Sequence, residues 1–380
     1  MITTRKRAQT RKKSAKAVAI SVCAMNNRIG VLMSGGVDSS MSALLLKEQG
    51  YDVIGVTAKM TGTEKDSAKN DSELIKKAES AAKILGIKHY WLDLSDEFQK
   101  EVIEYFVNSY KNGQTPNPCI VCNKKIKWGK LFDYAMNELG ADYFATGHYA
   151  RVLKDGKKGG KFLLYPAKDQ NKDQLYYLFE LNQEQLSKTI FPLADYEKED
   201  IKQLALKHGI TSNSYKESQD ICFIEKPETT KKYLAKRLKS QKGSFMMAGK
   251  KLGEHNGYHE FTVGQRKGIG IAYSEPLYVV GINPEENIVE LGTKEDLNAN
   301  EVLVSGLNIH DTSFRGKFEA NVKIRYNMNA QKAVVEIFEF EDTPASAKIF
   351  FKDGISSVSK GQAAVIYDLC DGHLIAGGWI

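Results

Sequence analysis

The sequence predicts an α/β fold: a doubly wound parallel sheet, then a small central domain, then a C-terminal antiparallel β-barrel. Three observations carry this. From Arg28 to about Gly209, apolar strand-like runs alternate with helical ones, the pattern of a parallel sheet covered by helices. Beyond about Ser212 glycines multiply: Gly243, Gly249, Gly253, Gly257, Gly264, Gly268 and Gly270. From Leu277 onward short period-two segments dominate, which reads as a small barrel or sandwich. At 380 residues the chain exceeds a typical single domain. The expected divisions are a basic head at 1–27, the α/β unit at 28–212, a central unit at 213–292 and the barrel at 293–380.

The elements follow in order. Ile29–Met33 is a strand and Ser40–Gln49 a helix with apolar Met41, Ala43, Leu44, Leu45 and Leu46. Val53–Thr57 is the next strand. A polar loop over Gly62–Asp71 leads to a helix over Ser72–Leu85. His89–Leu92 is a strand, and a helix runs from about Asp96 to Tyr110. A lysine-bearing helix follows Cys122, and Tyr143–Ala145 is another strand. In the C-terminal part the expected strands are Tyr278–Val280, Ile288–Leu291, Val302–Leu307, Phe318–Arg325, Lys332–Phe338, Ala347–Phe351 and Gln362–Tyr367.

The net charge of +7 comes from the head, where residues 1–24 hold seven basic residues and no acidic one. Without them basic and acidic residues balance, so bulk charge does not argue for nucleic acid. A nucleic-acid surface must be local, at Lys124, Lys125, Lys127 and Lys130 or along Lys226 to Lys242; taken alone, an ordinary solvated lysine-rich face is the better reading of each run. The head suits a targeting peptide, an RNA-binding arm, or sequence upstream of a start at Met25. Cytoplasmic location is expected, organellar if residues 1–24 are a transit peptide. No stretch is long and apolar enough to span a membrane. Five cysteines, an odd number, suit a reducing compartment and chemical rather than structural thiols.

Ser34-Gly35-Gly36-Val37-Asp38-Ser39-Ser40 joins the first strand to the first helix. Glycines let a backbone approach an anion closely, and a helix start offers N–H groups and a positive dipole end to phosphate. Ser34, Ser39 and Ser40 add hydroxyls. The absence of lysine separates this loop from the GxxxxGK[ST] type. Asp38 suits a phosphate site only if it holds a cation or a water. An ordinary Gly-Gly turn is the bland alternative. The segment resembles the pyrophosphate loop of N-type ATP pyrophosphatases, which cleave ATP to AMP and pyrophosphate to adenylate an oxygen.

Thr115-Pro116-Asn117-Pro118-Cys119-Ile120-Val121-Cys122-Asn123 is the second informative string. Two prolines argue against regular structure. Cys119 and Cys122 fit half a zinc site or a redox pair, although no second pair or His-x-x-x-His completes zinc. Cys222, among Ile221, Phe223 and Ile224, reads as a strand-edge cysteine, buried in the bland case.

These strings occur in order with Ala145-Thr146-Gly147-His148-Tyr149, Lys172-Asp173-Gln174, Asp220–Ile224, Gly264-Gln265-Arg266-Lys267-Gly268 and Arg325-Tyr326. Together they resemble the tRNA-specific 2-thiouridylases from about residue 28 to the C-terminus. The resemblance implies a Rossmann-like pyrophosphatase domain and 2-thiolation of the wobble uridine in a tRNA anticodon loop. ATP with Mg²⁺ adenylates the C2 oxygen, and a persulfide sulfur displaces AMP. It implies that Cys222 carries the persulfide and that Cys122 liberates its sulfur or resolves the disulfide. Asp38 is a plausible indirect metal ligand. Leu32, Met33, Ser34, Gly35, Gly36, Val37, Asp38 and Ser39, with Ala58 and Gly147, would surround ATP. Asn117, Pro118 and Cys119 would border the target base, and His148, Lys172, Asp173, Gln174, Arg325, Tyr326 and Gln362 would touch tRNA. A persulfide-donating carrier or cysteine desulfurase is the expected partner, and a monomer the expected state. The chemistry calls for a cysteine of lowered pKa and a second thiol in reach.

Two positions depart from the family pattern. Cys119 stands where Asp is common, so Cys119, Cys122 and Cys222 would also suit a [4Fe-4S] cluster with one open iron. Ala58 stands where a larger residue such as Met often packs on adenine. Two other functions compete with tRNA thiolation. One is small-molecule adenylation, against which the Gly264–Gly268 string and the β-rich C-terminal part weigh. The other is non-catalytic RNA binding, against which the intact Asp38, Cys122 and Cys222 weigh.

Overall fold

The computed structural model describes residues 27–60, 65–156, 160–210, 221–224, 227–340 and 343–380. Residues 1–26 of the basic head, with Cys23, and also the 212/213 division and Asp220 lie outside the described residues.

The α/β unit is built on five parallel strands. β1 (Arg28–Leu32), β2 (Asp52–Lys59), β3 (Lys88–Asp93), β4 (Tyr143–Ala145) and, after a hairpin of β5 (Arg151–Lys154) and β6 (Phe162–Tyr165), β7 (Thr189–Ile190) form a sheet in the order β3-β2-β1-β4-β7. Ile29 pairs with both Val53 and Tyr143. The chain therefore winds outward from β1 to β3 and returns to β4 on β1's other side. Ligands of such sheets bind at this switch point, beyond the carboxyl ends of the strands. The Ser34–Ser40 loop follows β1 and Thr146-Gly147-His148 follows β4, so both lie at that crevice.

The helix after β1 spans Val37–Glu48, with Met41, Ala43, Leu44, Leu45 and Leu46 buried against the sheet. The helix before β3 runs Lys65–Leu85 and takes up most of the expected polar loop. The segment after the prolines is also helical. Pro118 opens a helix over Pro118–Cys122, where its missing N–H is no loss and its fixed φ is already helical. The expectation of irregular structure there is overturned for that reason. The helix continues over Asn123–Leu131 in wider π-type turns, and buries Ile126, Trp128 and Leu131. Trp128 is fully buried, and its ring N–H donates to the Thr189 hydroxyl at 2.9 Å.

β8 (Gly243–Met247), β9 (Lys250–His255), β10 (Tyr278–Asn283) and β11 (Ile288–Gly292) make the central sheet, in the order β10-β11-β8-β9. The alternating segments at 278–280 and 288–291 thus belong here and not to the barrel. β12 (Asn298–Ile309), β13 (Lys317–Lys323), β14 (Gln331–Phe340), β15 (Thr343–Ser356), β16 (Ala363–Tyr367) and β17 (Leu374–Trp379) close a six-stranded barrel. Closure removes the exposed edges an open sheet would carry.

The barrel docks on the α/β unit. Ala363, Val365, Tyr367 and Leu374 share one apolar cluster with Cys122, Trp128 and Phe223. The Tyr176 hydroxyl donates to the Ala363 carbonyl at 2.8 Å.

Candidate active site

The loop after β1 is locked from within. The buried Thr57 hydroxyl donates to the Met33 carbonyl at 2.6 Å, and Met33 N–H donates to Val56 O at 2.8 Å. Gly35 turns the chain at φ +69, and a Cβ there would lie 2.8 Å from Lys77 Cβ and 3.0 Å from the Leu74 carbonyl. Only glycine combines that φ with that clearance. Ser39 Oγ accepts from Ser34 N–H at 3.2 Å and donates to Gly36 O at 3.0 Å; Ser40 Oγ donates to the same carbonyl. Ser39 and Ser40 therefore brace the loop, and Ser34 is its exposed hydroxyl. No side chain caps the helix at Gly36. Its first N–H groups are left for an anion.

Gly147 brings the second crevice loop onto this one. A Cβ at Gly147 would stand 2.8 Å from Ser39 N, 2.9 Å from Asp38 C and 3.1 Å from Asp38 Cβ. The Ser42 hydroxyl, donating to Asp38 O at 2.9 Å, also reaches Thr146 O at 3.4 Å. Leu32 and Ala58 are half-buried against the cluster that holds Cys122, so the strand ends and the cysteine helix share one wall. Met60, one alternation beyond Ala58 on the same side of the extended chain, packs on that cluster too.

Asp38 is paired. Its Oδ2 lies 2.5 Å from Lys198 Nζ, and its Oδ1 accepts from the Tyr149 hydroxyl at 3.0 Å. Lys198 opens the helix Lys198–Lys207 and was missed in the sequence, since nothing local links it to a residue 160 positions away.

The three thiols converge. Cys119 is exposed and Cys122 buried on the helix Pro118–Cys122, one turn apart. Cys222 is exposed in a turn closed by Ile224 N–H donating to Ile221 O at 3.0 Å, not on a strand edge. The apolar neighbours that suggested a strand are anchors. Phe223 and Ile224 are buried, with the Phe223 ring 5.3 Å from Phe106, 5.6 Å from Tyr233 and 5.8 Å from Phe98. They hold Cys222 outward. All three are free thiols.

Crowding by protein atoms pushes the Cys222 thiol up to about 12, with Cys122 and Cys119 adding to the rise and Lys127 opposing it. Burial lifts Cys122 to about 11, again against Lys127. Burial raises Cys119 as well. The expected lowered thiol pKa is thus overturned in this arrangement, because desolvation outweighs the charge of Lys127. His148 lies in the same surroundings. Burial lowers its pKa well below the usual value, Lys127 lowers it further, and its ring packs 5.3 Å from Trp128. It is a neutral imidazole, with Nδ1 2.8 Å from the Thr146 hydroxyl.

Several residues expected at the tRNA surface have internal partners. Both Asp173 oxygens accept backbone N–H groups, from Ala167 at 3.0 Å and Leu175 at 3.1 Å. Gln174 Oε1 accepts from Tyr149 N–H, and Gln174 N–H returns a bond to Tyr149 O. The Tyr326 hydroxyl donates to Asp173 O at 3.2 Å, and its ring lies 4.5 Å from Tyr177. Arg325 donates to the Ser357 carbonyl. Gln362 Nε2 donates to Thr115 O at 2.9 Å and so ties the barrel to the proline segment. Asn117 is half-buried and Pro118 buried beside Cys119; Lys172 is half-buried on the turn before Asp173.

Family models match three stretches of the chain: a tRNA methyl transferase HUP domain over 27–226, a tRNA methyl transferase PRC-barrel domain over 231–293 and an aminomethyltransferase beta-barrel domain over 299–380. Curated relatives include the tRNA-specific 2-thiouridylase MnmA of Clostridioides difficile, 39% identical over 94% of this chain and 98% of its own. MnmA 1 of Clostridium tetani is 41% identical over 94% of this chain and 97% of its own. Among solved structures, the U34-tRNA thiolase NcsA from Methanococcus maripaludis with its [4Fe-4S] cluster aligns over 54% of this chain and 65% of its own. Its identity is 20% and its TM-score 0.34, too distant to bear on the site.

Proposed function

The chain belongs to the tRNA-specific 2-thiouridylase family, and from that premise we propose how its residues divide the work. The reaction is the 2-thiolation of a tRNA uridine, driven by ATP. The wobble uridine of the anticodon loop is the proposed target. One observation carries the division: the strand ends at Leu32 and Ala58, beside an uncapped helix start able to take phosphate, pack on the cluster that holds Cys122, and Cys222 lies close enough to feel the charge of Cys122 and Cys119.

Uridine O2 attacks the α-phosphorus of ATP; the bond to the bridging oxygen breaks and pyrophosphate leaves. The C2 oxygen, a poor leaving group as a carbonyl, is then part of AMP. Cys222 carries a persulfide whose terminal sulfur attacks C2, and AMP departs. Cys122, as thiolate, attacks Cys222 Sγ, releasing 2-thiouridine and leaving a Cys122–Cys222 disulfide. The two cysteines are oxidised as the sulfane sulfur is reduced, so an external thiol resets the pair. A persulfide is a stronger acid than a thiol, so the raised pKa of Cys222 does not disable it. Lys127 supplies the facing positive charge.

Leu32, Met33, Ser34, Gly35, Gly36, Val37, Ser39, Ala58 and Gly147 would enclose ATP in this scheme, and Asp38 would help hold Mg²⁺, which would offset charge on the phosphates. Asn117, Pro118 and Cys119 border the base. His148, Lys172, Asp173, Gln174, Arg325, Tyr326 and Gln362 form or brace the tRNA surface. A persulfide-donating carrier or desulfurase loads Cys222, and the enzyme works as a cytoplasmic monomer. Among the described residues no helix is long and apolar enough to cross a membrane.

A [4Fe-4S] cluster on Cys119, Cys122 and Cys222 is the alternative that the third thiol permits. The donor set would suit it, since Cys222 lies within reach of the charge of both Cys122 and Cys119. When bound, it would supply an iron site for inorganic sulfide. Anaerobic iron and sulfide analysis separates the two routes: iron at or near stoichiometry supports the cluster, and thiolation by iron-free protein with a persulfide source excludes it.

A further inference from the structure

We propose that Lys198 is the cation that receives the pyrophosphate half of ATP, delivered to the Ser34–Ser40 loop by a distant helix rather than by the loop itself. The inference rests on the assignment of that loop to ATP. From Ile29 to Leu46 the chain has no basic residue, yet it places the Asp38 carboxylate where a polyanion must sit. Phosphate loops of the lysine type carry their own cation. Here the helix starting at Lys198 provides it. Lys198 Nζ stands 2.5 Å from Asp38 Oδ2, and its side chain is 11% exposed against 50% for Lys202 on the same helix. It is therefore held at the loop and not merely solvated nearby.

Its backbone is fixed as well. Lys198 N–H donates to Asp169 Oδ2 at 3.0 Å, and Glu197 closes a capping box with Asp200. Tyr149 completes the arrangement from the β4 side, with its hydroxyl on Asp38 and its ring 6.0 Å from Lys198 Nζ. At rest the two charges cancel, which keeps a partly buried carboxylate compensated. With ATP bound, Asp38 would be free to hold Mg²⁺ and Lys198 to pair with phosphate oxygens. Each charge exchanges one partner for another, and neither is left bare. As the bond to the bridging oxygen breaks, its electron pair stays on pyrophosphate, and Lys198 meets that developing charge.

The test is calorimetric titration of pyrophosphate and of AMP into the full-length protein without divalent metal. Lys198→Met, Lys198→Arg and Asp38→Asn are compared with wild type. The loss of one charge-assisted contact predicts pyrophosphate affinity at least about tenfold weaker in Lys198→Met, largely restored in Lys198→Arg, with AMP affinity unchanged. Asp38→Asn breaks the same ion pair from the other side but leaves the cation, so it binds pyrophosphate as well as wild type or better. If Lys198→Met binds pyrophosphate like wild type, the proposal is wrong. Equal weakening in Lys198→Met and Asp38→Asn makes the pair purely structural and also overturns it. If wild type binds neither AMP nor pyrophosphate, the ATP assignment of the loop falls, and this proposal falls with it. Lys198→Gln replaces Lys198→Met should the latter not fold.

Discussion

Gly147→Ala adds one carbon where the two crevice loops meet. That carbon would stand 2.8 Å from Ser39 N, 2.9 Å from Asp38 C and 3.1 Å from Asp38 Cβ. Comfortable carbon contacts begin near 3.5 Å, so the loops must part by roughly half an ångström or more. Two of the three atoms are backbone at the start of the helix Val37–Glu48, and no rotamer change relieves them. Overpacking of this kind costs about 1–3 kcal/mol of stability. The catalytic cost is larger, because misplacing reacting groups by about 1 Å lowers rates on the order of 100-fold. The assay is tRNA-dependent pyrophosphate release, with tRNA affinity and thermal midpoint measured in parallel. Pyrophosphate release should fall by about one to two orders of magnitude, with tRNA affinity within about twofold of wild type. Gly50→Ala is the control: φ is +89 but nothing lies within 4 Å of the added carbon, so it carries about 1–2 kcal/mol of strain and leaves the rate alone. Wild-type pyrophosphate release by Gly147→Ala would refute the close approach of these loops as a condition for ATP cleavage.

Further outcomes follow from the thiol recess. Since Cys222 sits at about 12 and Cys122 at about 11, iodoacetamide at pH 8 should modify Cys222 on the order of 100-fold or more slower than a free thiol, gaining about tenfold per pH unit; peptide mass spectrometry reads this. The same elevation affects stability. The folded state keeps the Cys122 proton where the unfolded chain loses it, so the contribution is whole below pH 9 and is lost as pH rises toward 11. Melting of Cys122→Ser across that range should show a shallower decline than wild type. Phe223→Ala removes the anchor of the Cys222 turn and should cost about 3–5 kcal/mol by denaturant melts, with sulfur transfer lost before pyrophosphate release. Lys127→Gln withdraws the cation that opposes the rise at all three thiols and should slow sulfur transfer, measured by single-turnover thiolation, while adenylation stays near wild type.

The parts legible in the sequence were those coded locally. The Ser34–Ser40 string sits between an apolar run and a helical pattern, and the structure forms that strand, turn and helix. Sheet and barrel were legible from alternation. Pro118 was misjudged because proline excludes a helix interior but favours its first turn. Phe223 and Ile224 looked like a strand because burial, not backbone geometry, sets their type. The short strands β5 to β9 were missed; two to six residues carry too little period to register. Lys198 left no signal at all, since only the folded chain brings it to Asp38. The thiol pKa values could not be read either, as they depend on the desolvation that folding imposes.

The central claim is that Cys222 delivers sulfur to a uridine activated by ATP at the Ser34–Ser40 loop. It is tested most directly by nucleoside mass spectrometry of tRNA incubated with the protein, ATP, Mg²⁺ and a persulfide source. Wild type should yield 2-thiouridine, and Cys222→Ser should yield none while still releasing pyrophosphate with tRNA present. Equal 2-thiouridine from wild type and Cys222→Ser, or none from wild type, would contradict the account.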